Sequence, residues 1–160
     1  MGISLVTVSF VFLFSSSTGA PAQTFRKRAP WPQLVARASY RLSDTSLFGE
    51  FTFSQLPEQI TRLLGQINVG FDSTDATVYK FLITANQDGT NVIRILNPKF
   101  TVNAPPGGSS AIQLDIPDIA LQPNLTIFNA TSVATDVHNQ FLSIFNRDTL
   151  LGSAQILIVP

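Results

Sequence analysis

Cysteine is absent from all 160 residues, and histidine, tryptophan and methionine occur once each, as His138, Trp31 and Met1. Without thiols there are no disulfides, no thiol nucleophile, no thiolate zinc site and no iron–sulfur cluster. A small domain without such links must stand on packing alone. A single imidazole also excludes nearly every transition-metal site that relies on several histidines. Charge is scarce too, with 12% charged residues against 44% hydrophobic ones and ten basic against ten acidic side chains. The surface is therefore rich in Ser, Thr, Asn and Gln, which suits contact with glycans better than with phosphates.

The head of the chain reads as an export signal. Ile3 to Phe14 is a mostly apolar run, shorter than the about 20 residues a helix needs to cross a bilayer and typical of a signal-peptide core. Ala20-Pro21-Ala22 places small residues where a signal peptidase reads, which predicts a signal peptide over residues 1–22 and cleavage before Gln23. Residues 23–28 then form a short pro-segment ending in the dibasic pair Lys27-Arg28, in a polar, proline-flanked stretch that offers a protease extended backbone. It is similar to substrates of fungal secretory-pathway processing proteases, which cut after Lys-Arg. The head thus implies a signal peptidase and a dibasic processing protease as partners, an extracellular location and no stable membrane span.

Cleavage after Arg28 removes three basic residues and leaves seven against ten acidic ones, a net charge near −3. Nucleic acid is not expected as a partner of so acidic a domain. Residues 29–34 read as an extended lead-in, in which Trp31 sits between Pro30 and Pro32. Trp31 either contacts a ligand or docks on its own domain. Two N-glycosylation sequons, at Asn124 and Asn129, predict an exposed turn or edge near residues 124–131.

Residues 35–160 carry short runs rich in β-branched and aromatic residues, with turn residues every ten or so positions, the pattern of a sandwich or barrel. Strands are predicted over Val35–Leu42, Leu47–Ser54, Ile60–Val69, Thr77–Ala85, Asn91–Leu96, Lys99–Val102, Ala111–Ile116, Leu125–Asn129, Gln140–Asn146 and Leu150–Val159. Alternation in Glu50-Phe51-Thr52-Phe53-Ser54 points Phe51 and Phe53 inward. The run Thr77–Ile83 lacks clean alternation, which suits a more central strand. Asp88-Gly89 predicts a hairpin between the strands of Tyr79 and Ile93. Ala104–Ser110, with two prolines and two glycines, reads as a surface loop.

Carboxylate pairs are the remaining candidates for chemistry. Asp115 and Asp118 flank a proline, and Asp72 and Asp75 share a turn. Such pairs can serve glycoside hydrolysis or bind calcium, although Asp is also a common capping residue in turns. Asp72 and Asp75 are the calcium candidates, and Asp115 or Asp118 the candidates for a hydrolase. His138 sits in a polar turn before the Phe141 strand, and no Gly-x-Ser-x-Gly elbow accompanies it, so a surface or hydrogen-bonding role is expected.

Three stretches resemble a known family. Gly49-Glu50-Phe51-Thr52-Phe53-Ser54-Gln55, then Leu64-Gly65-Gln66-Ile67-Asn68-Val69-Gly70, then Tyr79-Lys80-Phe81-Leu82-Ile83-Thr84 are similar to the first half of copper/zinc superoxide dismutase-like sandwiches. Leu151–Ile158 is similar to that family's last strand. The resemblance implies that Leu82 and Thr84 stand where the family has copper-binding histidines, and that Ser153 stands where it has a disulfide cysteine. Dismutase activity is accordingly not expected, and no cofactor or metal is.

The sequence thus points to an all-β fold, a single antiparallel β-sandwich that is Ig-like or Greek-key and superoxide dismutase-like, without disulfides. Its expected role is binding a glycan or protein at a cell surface, matrix or host interface. The alternative is a secreted, carboxylate-dependent hydrolase of polysaccharide. N-terminal sequencing of the secreted protein should give Ala29 as the first residue, and Arg28→Ala should move the start to Gln23. A wild-type chain beginning at Gln23 would remove the processing step.

Overall fold

The structure, a computed structural model, describes residues 34–56, 60–103, 107–121 and 135–160. Its strands are β1 (Val35–Tyr40), β2 (Phe48–Gln55), β3 (Ile60–Val69), β4 (Tyr79–Thr84), β5 (Val92–Leu96), β6 (Ile112–Pro117), β7 (Ile119–Ala120), β8 (Thr135–Asp136), β9 (Phe141–Asn146), β10 (Thr149–Gln155) and β11 (Leu157–Ile158). They form a five-stranded sheet in the order β11-β1-β2-β3-β6 and a four-stranded sheet in the order β10-β9-β4-β5. Both are antiparallel throughout, so the fold is the all-β sandwich that the alternation implied.

Side-chain alternation explains how the sheets meet. In β2, Phe51 and Phe53 are fully buried, while Glu50 faces solvent. In β4, Phe81 and Ile83 point inward, and the strand lies between β9 and β5, the central place that its lack of clean alternation suited. The hairpin from β4 to β5 turns at Asp88-Gly89. Gly89 has φ +78, a left-handed value that glycine adopts without strain, and the Asp88 carboxylate accepts from the backbone and hydroxyl of Thr90.

Six aromatic rings run in contact through the core. Tyr40 meets Phe51 edge-on at 6.2 Å between centroids, and Phe51 meets Phe81 of the opposite sheet at 6.0 Å. Phe81 then meets Phe100, Phe100 meets Phe71, and Phe71 stacks on Tyr79 at 4.1 Å. Offset and edge-on pairs of this kind add about 0.5–1.5 kcal/mol each beyond their burial. Both ends carry a phenol. The Tyr40 hydroxyl donates to the Leu142 carbonyl at 2.6 Å, and burial pushes its pKa well above the usual value.

Some expected elements differ. Lys99–Val102 is not a strand: it follows Pro98, and Phe100 turns inward to the aromatic file, leaving only an isolated bridge between Val102 and Ser109. Thr77 is not in β4 but in a single 3₁₀ turn, Ala76–Val78, capped by Asp75. The expected strand Leu150–Val159 is two strands. At Ile156 the chain leaves β9 and crosses to the other sheet, where β11 pairs with β1. The loop expected on the surface at 104–110 is buried in its described half: Gly107, Gly108 and Ser109 are tucked beneath the end of β3. A side chain at Gly107 would collide with the Phe71 backbone, so glycine is what permits this approach. The parallel pairing of β7 with β8 had no signal in the sequence. The expected strand Leu125–Asn129 lies outside the described residues.

Tyr40→Phe should leave the Leu142 carbonyl buried without its donor. A loss of about 1–3 kcal/mol is expected in chemical denaturation, with the denaturant slope unchanged.

Candidate functional site

The most densely organised polar region lies where β3 leaves the five-stranded sheet. Gly70 takes φ +119, the chain reverses, and Phe71 enters the core while Asp72 faces solvent. One oxygen of the Asp72 carboxylate, Oδ1, accepts from the Tyr79 hydroxyl at 2.9 Å and from the Asn146 amide at 2.8 Å. The Tyr79 oxygen in turn accepts from the Ser73 backbone N–H at 2.7 Å. Burial, foremost, and the neighbouring carboxylate raise the Tyr79 pKa, so the phenol stays protonated and remains a donor. Two other segments, β4 and β9, thus converge on the Asp72 carboxylate. Two open clefts flank it, one of about 390 Å³ that includes Asn146, Arg147 and Thr149, the other of about 720 Å³ that includes Val69, Phe71 and Asn103.

Asp75 is engaged elsewhere. Its carboxylate accepts from the hydroxyl of Thr77 at 2.6 Å and from its backbone N–H at 2.9 Å, which holds its pKa below the usual range. Asp72 and Asp75 therefore have different protein partners, and only Asp75 does the turn work that Asp does in such loops. Asp115 forms a two-pronged pair with Arg62 across β6 and β3, at 2.7 and 2.8 Å, and the hydrogen bond holds its carboxyl below the usual range. Asp118 is exposed, at φ +59, in the turn after β6. His138 lies in the turn before β9, its backbone N–H donating to the Asp136 carboxylate and its Nδ1 3.3 Å from the Asn139 amide. Among the described residues no group of three His, Asp or Glu converges as a metal site. Lys27, Arg28, Trp31, Asn124 and Asn129 lie outside the described residues.

A second polar cluster lies on the outer face of the four-stranded sheet and includes Thr84 and Ser153, two positions marked by the family resemblance. Thr84 Oγ1 donates to the Asn86 carbonyl at 2.9 Å and contacts Ser143 Oγ at 2.8 Å, which contacts Ser153 Oγ at 2.8 Å. Each hydroxyl has one proton. Thr84 spends its proton on Asn86, so Ser143 must donate to Thr84 and Ser153 to Ser143. The chain of hydroxyls has one direction, and Thr84 and Ser143 are fully buried within it.

No protein family and no curated protein matches this chain. A solved structure does: a mutant form of superoxide dismutase 5 from Candida albicans, with a TM-score of 0.50 over 81% of this chain and 92% of that one, at 15% identity. The fold is superoxide dismutase-like. At that identity the likeness concerns fold alone, and the local chemistry must be read from this chain. Leu82 and Thr84 do not fit a copper ion: Leu82 offers only hydrocarbon, and the Thr84 hydroxyl is occupied on both sides. Ser153, at the position implied to be a cysteine, is the outer donor of the hydroxyl chain.

Sequence reading missed Tyr79, Asn146 and Arg147 as site residues. Asn146-Arg147-Asp148 reads as an ordinary turn, and only the pairing of Tyr79 with Asn146 across β4 and β9 brings it to Asp72. Ser143→Ala should deprive both neighbours and cost about 1–3 kcal/mol in unfolding experiments. Ser153→Ala should cost less, because Ser153 only donates into the chain and is half-buried. Equal costs would contradict the assigned direction.

Proposed function

We propose that the protein is a small, secreted, extracellular β-sandwich that acts by binding a glycan or protein ligand at a cell surface, matrix or host interface, without catalysis. The observation that carries this reading is the engagement of Asp75, Asp88, Asp115, Glu50 and Asp148 in caps and ion pairs within the chain. A hydrolase needs an acid whose pKa is raised so that it holds a proton at working pH. Here Asp75, Asp88 and Asp115 are all shifted downward by the groups that hydrogen-bond them. Asp115 is bound to Arg62, Glu50 to Arg37 and Asp148 to Lys80. These acids serve caps and ion pairs.

Support for binding comes from the Asp72 corner, where a fixed carboxylate stands between two clefts, and from exposed apolar side chains beside it. Phe48 and Val69 are cross-strand neighbours, 46% and 38% exposed, at the same end of the five-stranded sheet. Secretion, cleavage after Lys27-Arg28 and glycosylation at Asn124 or Asn129 belong to the same proposal and rest on the sequence of the head and the sequons. The secreted protein should be retained on immobilised cell-wall polysaccharide, glycan or matrix-protein surfaces while releasing no reducing sugar from soluble polysaccharides. Sugar release abolished by Asp115→Asn or Asp118→Asn would establish the hydrolase instead.

A further inference from the structure

We propose that the corner formed by Asp72, Ser73, Asn146 and Arg147 binds a neutral oligosaccharide across the ridge between its two clefts. This rests on the binding role proposed above and gives it a place and a ligand class.

The first argument is preorganisation. Asp72 Oδ1 is held by Tyr79 and Asn146, whereas Oδ2 has no protein partner among the described residues. The carboxylate is thus fixed in orientation and presents one strong acceptor to solvent. Its support is rigid, because Tyr79 is buried, stacked on Phe71 and anchored to the Ser73 backbone. Holding a binding group in place before the ligand arrives reduces the ordering cost of association. A carboxylate needed only to close the turn would not require a tyrosine, an amide from another strand and a stacked ring to hold it.

The second argument is shape and chemistry. Clefts of about 390 and 720 Å³ lie within the range of roughly 300–1,000 Å³ usual for small-ligand sites. They meet at Asp72 and Ser73, which line both. The smaller is mostly polar, with Asn146, Arg147 and Thr149. The larger has apolar walls from Val69 and Phe71, and Phe48 lies across the strand from Val69 with its ring half-exposed. A sugar presents hydroxyls at its edge and hydrocarbon on its face, and it fits a charged acceptor, an amide and an apolar wall together. The Asp72 carboxylate and the Arg147 guanidinium line the same cleft and leave it without net charge, so nothing there favours a phosphate, sulfate or carboxylate ligand, and the oligosaccharide is neutral.

The test is a titration of the ¹⁵N-labelled secreted protein with laminarihexaose, cellohexaose and α-mannohexaose, followed by amide shifts. At least one sugar should shift the amides of Ser73, Asn146 and Arg147 saturably, with the same affinity in EDTA. Asp72→Asn should weaken that sugar about tenfold, the factor carried by 1.4 kcal/mol. Val69→Ser, on the wall of the larger cleft and outside the hydrogen bonds at Asp72, should weaken it as well while leaving the thermal midpoint within a few degrees. Saturable shifts elsewhere, unaffected by either variant, would overturn the site but leave the binding role standing. Loss of binding in EDTA would overturn it in favour of a cation site. Failure of all three sugars would overturn the oligosaccharide, and the binding role would fall with it only if the protein were also retained on no glycan or protein surface.

Discussion

With no sulfur links available, cohesion between the two sheets depends on the contact of Phe51 in one with Phe81 in the other. The rings around that contact continue it in both directions, to Tyr40 on one side and through Phe100 and Phe71 to Tyr79 on the other. Aromatic side chains give much buried area per residue, which is what a domain of this size needs when packing is its main source of cohesion. The two phenols let the file end without stranding a polar atom. Each hydroxyl has a partner, the Leu142 carbonyl or the Asp72 carboxylate.

The same file links the core to the surface at Asp72. Phe71 is the last buried ring of one segment and Asp72 the next residue, so packing of Phe71 on Tyr79 sets where the carboxylate stands. On the far face, the same sheet carries the directed chain from Ser153 through Ser143 to Thr84. The fold is superoxide dismutase-like, but Leu82 and Thr84 occupy positions where the resemblance implied metal ligands. A shared sandwich therefore says little about chemistry here, and function must be argued from the particular side chains each face displays.

Local periodicity made much of the architecture legible. Phe51 and Phe53 alternate with polar neighbours, the β4 run has too little alternation for an exposed strand, and Asp88-Gly89 marks its own turn. The misreadings come from residues whose environment is set by distant segments. Lys99–Val102 has strand-like composition, but Phe100 is drawn to Phe71 and Phe81. Gly107-Gly108 reads as a flexible surface stretch, but the absence of side chains is what lets it pack beneath Phe71. The candidate corner was visible only in part: Asp72 was singled out for its neighbour Asp75, whereas its partner in space is Asn146, 74 residues away. Pairing of β4 with β9 makes that meeting possible, and no local pattern encodes it.

The placement of the aromatics also determines how the molecule can be observed. The chain's two tyrosines, Tyr40 and Tyr79, close opposite ends of the file, while its one tryptophan, Trp31, precedes β1 in the sequence. Light absorbed by phenol therefore samples both extremes of the interior, whereas indole emission comes from a residue that precedes β1 in the sequence. The two spectral channels divide the chain between its core and its leading segment, and separate optical labels are unnecessary to follow each.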